Sequence, residues 1–252
     1  VGGAGSVAVN LMDGTVSAQI ADGADVVAQR ELNVSASQRQ GIDVLAGSLA
    51  IGGTAAGIGV GAVVNLMTGS TLASIHGADT RVSALGWNAG TGINVDADST
   101  QQVNTLGTSL AVTFMPIAGT SVSAMADVNV IGSSTVASID AAAINTHDLS
   151  HWYADTVVGP DPGQGTGGGS GDDIAADEQD LYSARALGSA SQDVRVSASS
   201  QVGNTAYVIG AAAGAGGSAA GAAASTVLQT RTQALVRNAS VQAKGEVAVN
   251  AT

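Results

Sequence analysis

One feature constrains this chain more than any other: four of its segments align with one another without gaps. NLMDGTVSAQI (Asn10–Ile20), NLMTGSTLASI (Asn65–Ile75), NVIGSSTVASI (Asn129–Ile139) and TVLQTRTQALV (Thr226–Val236) share an alanine column at Ala18, Ala73, Ala137 and Ala234. Their last column is Ile20, Ile75, Ile139 and Val236. A second block follows each: LNVSAS from Leu32, INVDAD from Ile93, VRVSAS from Val194 and VAVNAT from Val247. A third, GSLAI at Gly47, is matched by TSLAV at Thr108. The first blocks start 55, 64 and 97 residues apart, the excess lying in two insertions. One is short, LGWNAGTG (Leu85–Gly92), and the other spans 140–186. Without them the unit is roughly 55 residues, and open-ended repetition of this kind belongs to stacked architectures in which each unit buries its neighbour's face.

Within the blocks, apolar and polar residues alternate with period two, the signature of half-buried strands. Asp13-Gly14 and Asp22-Gly23 read as tight turns between short strands. On that reading each unit divides into three coils of about 18 residues, and about eleven coils stacked at ~4.8 Å make a rod of about 50 Å. A β-sandwich is a closed module and does not repeat in this way. A membrane barrel needs aromatic girdles on tilted strands. The chain has only two Trp, three Tyr and one Phe, most of them in the insertions. The fold expected is all-β, a parallel β-helix of about four repeats with one long loop/helix insertion, and 1–252 forms a single solenoid segment.

Composition narrows the function. Only 11% of residues are charged, the formal net charge is −12, and Lys244 is the lone lysine. A nucleic-acid surface needs Lys and Arg to neutralise phosphates, and attachment to anionic lipid needs the same. Nucleic-acid binding and membrane insertion are therefore not expected. With no cysteine there is neither a disulfide framework nor a thiolate metal site. VGGAGS and VAVNAT, at the two ends, have internal counterparts, which suggests a segment of a longer protein.

The blocks GSVAVNLMDGTVSAQI and GVGAVVNLMTGSTLASI, followed by LNVSAS or INVDAD, resemble the repeats of leukotoxin-like filamentous adhesins. These are bacterial type V secreted surface proteins similar to filamentous haemagglutinin. The resemblance covers the repeats and omits the long insertion. It implies a right-handed parallel β-helix, export to the cell surface, and adhesion or cytotoxicity, and it carries over no catalytic residue. The expected role is a non-enzymatic, extracellular rod that displays binding loops towards a receptor or glycan on a host or neighbouring cell. A self-associating filament or matrix protein is the alternative, with copies of itself as partner. A β-helix polysaccharide-degrading enzyme is a third.

Candidate sites follow from the segments that break the repeat. HDLSHWY places His147, His151, Trp152 and Tyr153 together, and the short insertion carries Trp87. Long loops on repeat scaffolds commonly carry recognition, so these five residues form the candidate partner-binding loop, against a merely decorative insertion. Asp172, Asp173, Asp177, Glu178 and Asp180 offer oxygen ligands for calcium. They match no calcium-loop spacing and read equally as an acidic helix start over 172–187. No other metal or cofactor is expected. Asp96 and Asp98 form an outward carboxylate pair, but aligned copies carry Ser, Asn or Thr there, so the column reads as solvent-facing. Asn10, Asn65 and Asn129 recur at one position in three units, the pattern of a stacked turn or an asparagine ladder.

The stretch AAAGAGGSAAGAAAS (Ala211–Ser225) resembles a linker, yet its part from Gly217 aligns with Val1–Asn10, Ala56–Asn65 and Thr120–Asn129. It reads as a strand layer reduced to small residues, placed where the coil narrows or where another surface packs closely.

Overall fold

A computed structural model describes residues 1–28, 30–53, 56–84, 92–114, 119–146 and 192–252. Twelve strands follow in chain order. They are β1 (Gly2–Ile20), β2 (Asp25–Ala28), β3 (Glu31–Gly52), β4 (Ala56–His76), β5 (Arg81–Ala84), β6 (Gly92–Thr113), β7 (Thr120–Asp140), β8 (Ala143–Ile144), β9 (Val194–Ala213), β10 (Gly217–Arg237), β11 (Ser240–Val241) and β12 (Val247–Ala251). Every third strand pairs, all in parallel. The result is a front sheet β1-β4-β7-β10, a short closing sheet β2-β5-β8-β11 and a back sheet β3-β6-β9-β12. This is a parallel β-helix, not a closed barrel. Among the described residues there is no helix.

The repeat and the coil are the same object. Asn10, Asn65, Asn129 and Thr226 pair in one column, as do Leu32, Ile93, Val194 and Val247 in the back sheet. Each 55-residue unit is therefore one wide coil, not three narrow ones. The stack is four coils, about 20 Å along its axis at ~4.8 Å per rung, while its long strands run about 70 Å. The expectation of eleven coils failed because mid-strand glycines were read as punctuation. Asp13-Gly14 lies inside β1, not in a turn. A Cβ on Gly14 would meet the amide nitrogens of Gln38 and Gln40 at 2.6 and 2.7 Å, so glycine there makes room for side chains from the opposite sheet.

Real corners have their own chemistry. Asp22, Gly77, Ala141 and Asn238 occupy equivalent positions two residues after the shared Ile/Val column, and all four have positive φ (58°, 115°, 58° and 48°). At least one positive-φ residue per coil turns the front sheet into the closing sheet, a conformation suited to Gly, Asn and Asp. The second corner, between closing and back sheets, is where both insertions leave. In the second coil the chain departs after Ala84 and rejoins at Gly92; in the third it departs after β8 and rejoins before Val194. The long insertion thus begins beyond Ile144, not at 140, because Asp140 ends β7 and Ala143–Ile144 pair in the closing sheet.

The cross-section tapers. At the wide end, Ile75, Ile139, Val82, Ile144, Ile93, Val95 and Val194 from all three sheets form the aliphatic core. Further along, front and back sheets face each other alone, and the inward residues shrink. A Cβ on Gly57 would lie 3.0 Å from the Val112 carbonyl, and one on Gly59 3.0 Å from that of Leu110. The backbones there approach far closer than the ~10 Å of ordinary face-to-face sheets. The stretch Ala211–Ser225 is the end of β9, the return turn and the start of β10, at this thin edge. Its small residues suit the narrowing.

Candidate functional site

Two regions stand apart from the stack's core, the insertion corner and the thin half of the slab. The insertion corner is fixed by its roots. Val82 pairs with Ile144 and Ile93 with Val194, and the Ile93 amide donates to the Asp193 carbonyl at 2.9 Å. The Ala84 amide donates to Asn145 Oδ1 at 3.0 Å, and Asn145 Nδ2 donates to the Gln242 carbonyl at 2.9 Å. Asn145, itself at φ 54°, ties the second, third and fourth coils together where the long insertion leaves. The short and long insertions therefore emerge from the same corner of adjacent coils. The candidate binding residues Trp87, His147, His151, Trp152 and Tyr153 lie outside the described residues. So do the calcium candidates Asp172, Asp173, Asp177, Glu178 and Asp180, and the helix expected over 172–187. Among the described residues, no cluster of three or more His, Asp or Glu gathers to hold a metal.

Inside the slab, the three asparagines stack in mid-strand and point inward. Asn10 Nδ2 donates to Asn65 Oδ1 at 2.8 Å, and Asn65 Nδ2 donates to Asn129 Oδ1 at 2.7 Å. Asn65 Nδ2 also reaches Thr105 Oγ1 of the back sheet at 3.0 Å, and Asn129 Nδ2 donates to Asp127 Oδ2 at 2.8 Å. Asp127 is 1% exposed, and burial pushes its carboxyl above the usual range, an effect the Asn129 bond partly offsets. A second polar layer lies nearer the wide end. There Gln101 donates to Gln40 Oε1 at 2.9 Å and Thr71 to Gln38 Oε1 at 3.0 Å. Between these layers, Met12, Ile42, Met67, Val103 and Ile131 pack as an apolar seam. Near the thin edge, Ser109 donates to the Gly59 carbonyl at 3.0 Å and Ser123 to the Ser109 carbonyl at 2.7 Å. Most buried polar groups here find partners across the slab, while Gln101 Oε1, Ser121 Oγ and Asp127 Oδ1 have none.

The chain matches no protein-family model, no curated protein and no solved structure.

Asp96 and Asp98 lie on the outer face of β6, flanked by Ser35 and Ser197 in one column and by Ser37 and Ser199 in the next. Asp96 accepts a hydrogen bond from Ser197. Both therefore sit in the polar outer face of the wide half, each beside serines of the coils above and below.

The thin half departs from the Ser, Asn and Thr pattern of the Asp96 and Asp98 columns. On the front sheet, Val9, Val64 and Val128 share one outward column, and Leu11, Leu66, Val130 and Val227 the next. Ile58 pairs with Val122 further out. On the back sheet Leu45, Leu106 and Tyr207 form an outward column, with Leu49–Leu110 and Ile51–Val112 beyond it. In the second and third coils, covered by neighbours on both sides, Ile58, Val60, Val122 and Leu106 are still 45%, 47%, 46% and 42% exposed. Sequence reasoning found the alternation there but not its sense: towards the thin edge many inward residues are polar or tiny, while large aliphatics such as Ile58, Val64 and Leu106 point out. A usable signal was present in the charge map. Residues 1–12, 44–67, 105–131 and 206–228 contain a single charged side chain, the buried Asp127. Asp13 and Asp43 mark the limit of the uncharged half on the two faces.

Proposed function

We propose that this chain is a non-enzymatic segment of a secreted bacterial surface adhesin, a rigid spacer that holds binding loops away from the cell. The observation that carries this reading is the common exit of the two insertions from one corner of adjacent coils, rooted by paired strands on both sides. A stack of parallel strands with few reactive groups gives stiffness; loops at a single edge give a place for recognition. The partner is a receptor or glycan on a host or neighbouring cell, met by the aromatic and histidine residues of the two insertions. The similarity of the blocks to filamentous-adhesin repeats points the same way.

The test is removal of residues 147–191 with β8 and β9 kept and joined by a short Gly-rich linker, the protein being displayed on a non-adherent bacterium. Adhesion to host or neighbouring cells is expected to fall to background, and Trp87→Ala to lower it in part. Full adhesion by the shortened protein overturns the loop-display reading.

A further inference from the structure

We infer that a second copy of this chain docks, face to face, on the apolar outer surface of the front sheet in the thin half. The inference needs only the stack and stands whether or not the insertions bind a receptor.

Area comes first. Five successive outward columns, from Gly3–Ile58–Val122 to Leu11–Leu66–Val130, carry no charge and almost no polar atoms on four adjacent strands. Five columns at ~6.7 Å by four strands at ~4.8 Å give a flat face of about 600 Å². This is the size at which apolar patches on soluble chains mark interfaces. Two such faces in contact bury about 1,200 Å², the lower bound of a specific stable interface.

Charge selects the occupant. The chain carries a net −12, and two copies repel wherever their acidic groups approach. In the thin half there is nothing to repel, because its one carboxyl, Asp127, is buried. A bilayer is the competing occupant for an apolar edge, but the margin of this band lacks what an interfacial anchor uses. It has no Lys and no aromatic belt, and the residues at its limit, Asp13 and Asp43, are acidic, with a lone Arg231 one column beyond Asp13 on the front sheet. A copy of the same sheet offers the same neutral lattice of aliphatic columns, which is how sheets stack face to face. The back sheet carries its own apolar patch on the opposite side (Leu45, Leu49, Leu106, Leu110, Tyr207, Ile209), so contact can repeat laterally.

Sedimentation equilibrium of the full chain tests this. The weight-average mass is expected to rise with concentration above the 24.3 kDa monomer. The outward double substitution Val64→Asp/Val128→Asp is expected to abolish that rise, while Ser134→Asp, outward on the same sheet in the wide half, leaves it intact. Because the chain has no cysteine, Ala62→Cys takes a single environment-sensitive fluorophore at the centre of the face. Its emission should shift to the blue as concentration rises, which covers the case of a double variant that does not fold. The inference is overturned by a wild-type monomer at high concentration, by association without a fluorophore shift, or by association that survives the double substitution in a variant keeping its sheet signature. Sedimentation with phosphatidylcholine vesicles by a protein otherwise monomeric also overturns it, in favour of a lipid surface.

Discussion

Replacing Asn65 by alanine probes whether the interior ladder holds the thin half together. Asn65 is 1% exposed and makes three side-chain bonds: it accepts from Asn10 and donates to Asn129 and Thr105. Losing them removes about 3 kcal/mol at ~1 kcal/mol net per bond. Asn129 Oδ1 and Thr105 Oγ1 then lose a donor in places solvent does not reach, 0% and 2% exposed. Each such orphan costs a further ~1–3 kcal/mol, so the total is at least about 5 kcal/mol. Asn10→Ala removes one bond at a partly exposed end coil and leaves Asn65 Oδ1 without its donor, so it should cost about 2 kcal/mol. Urea unfolding followed by circular dichroism compares the two. At a slope of about 2–3 kcal/mol per molar, a difference of about 3 kcal/mol separates their midpoints by about 1 M or more. Asn65→Leu refines the test, since it fills the space yet strands the same partners and should be nearly as costly as alanine. Equal midpoints for Asn65→Ala and Asn10→Ala, or a neutral Asn65→Leu, refute the idea that hydrogen bonding rather than packing organises this layer.

Two further substitutions probe the corner and the taper. Ala141 holds φ 58° at the corner where Gly77 serves the coil below, so Ala141→Gly should raise the urea midpoint, by about 1 kcal/mol of stability. In contrast, Gly59→Val must push apart two closely approaching backbones (a Cβ there would lie 3.0 Å from the Leu110 carbonyl) and should cost ~1–3 kcal/mol or more, read by the same unfolding curve. Asp127 supplies a pH test. Its folded pKa is raised above 3.8, so the native state holds its proton more tightly than the unfolded chain does. Its contribution is most favourable below 3.8 and is lost as pH rises through the folded pKa. Asp127→Asn is therefore expected to be more stable than the parent at pH 7, with the advantage vanishing at pH 3; a pH-independent difference counts against the burial argument.

The register of this fold was legible in the sequence and its coil size was not. Alignment of Asn10, Asn65, Asn129 and Thr226 by residue type reproduces their pairing in space, because a parallel stack places equivalent residues on one another. The number of residues per coil is a different matter, since it depends on where the chain turns. Asp22-Gly23 and Asp13-Gly14 are the same dipeptide, yet the first is a corner with φ values of 58° and 76° and the second is straight strand. What separates them is the opposite sheet: glutamine side chains stand over Gly14, and nothing local in the sequence announces them. The insertion corner was readable as a break in the repeat. Its lower boundary was misplaced because a two-residue strand, Ala143–Ile144, is too short to show periodicity.

Alternation identifies two faces of a strand but not which one is inside, and here volume rather than polarity decides. In Ala62–Met67, Val63, Asn65 and Met67 point in while Ala62, Val64 and Leu66 point out, so hydropathy alone gives no preference. Beyond them towards the thin edge the choice becomes forced. The inward positions Gly57, Gly59, Ser121 and Ser123 face a backbone that leaves no room for a branched side chain. The alternating Ile58, Val60 and Val122 must then lie outside, whatever water makes of them. The cost of exposing them is about 25 cal/mol per Å², and a contact that covers them recovers it. The taper that lets serine and asparagine bond across the slab is thus the same feature that turns its large aliphatics outward. A chain folded this way carries its docking surface as a consequence of its interior.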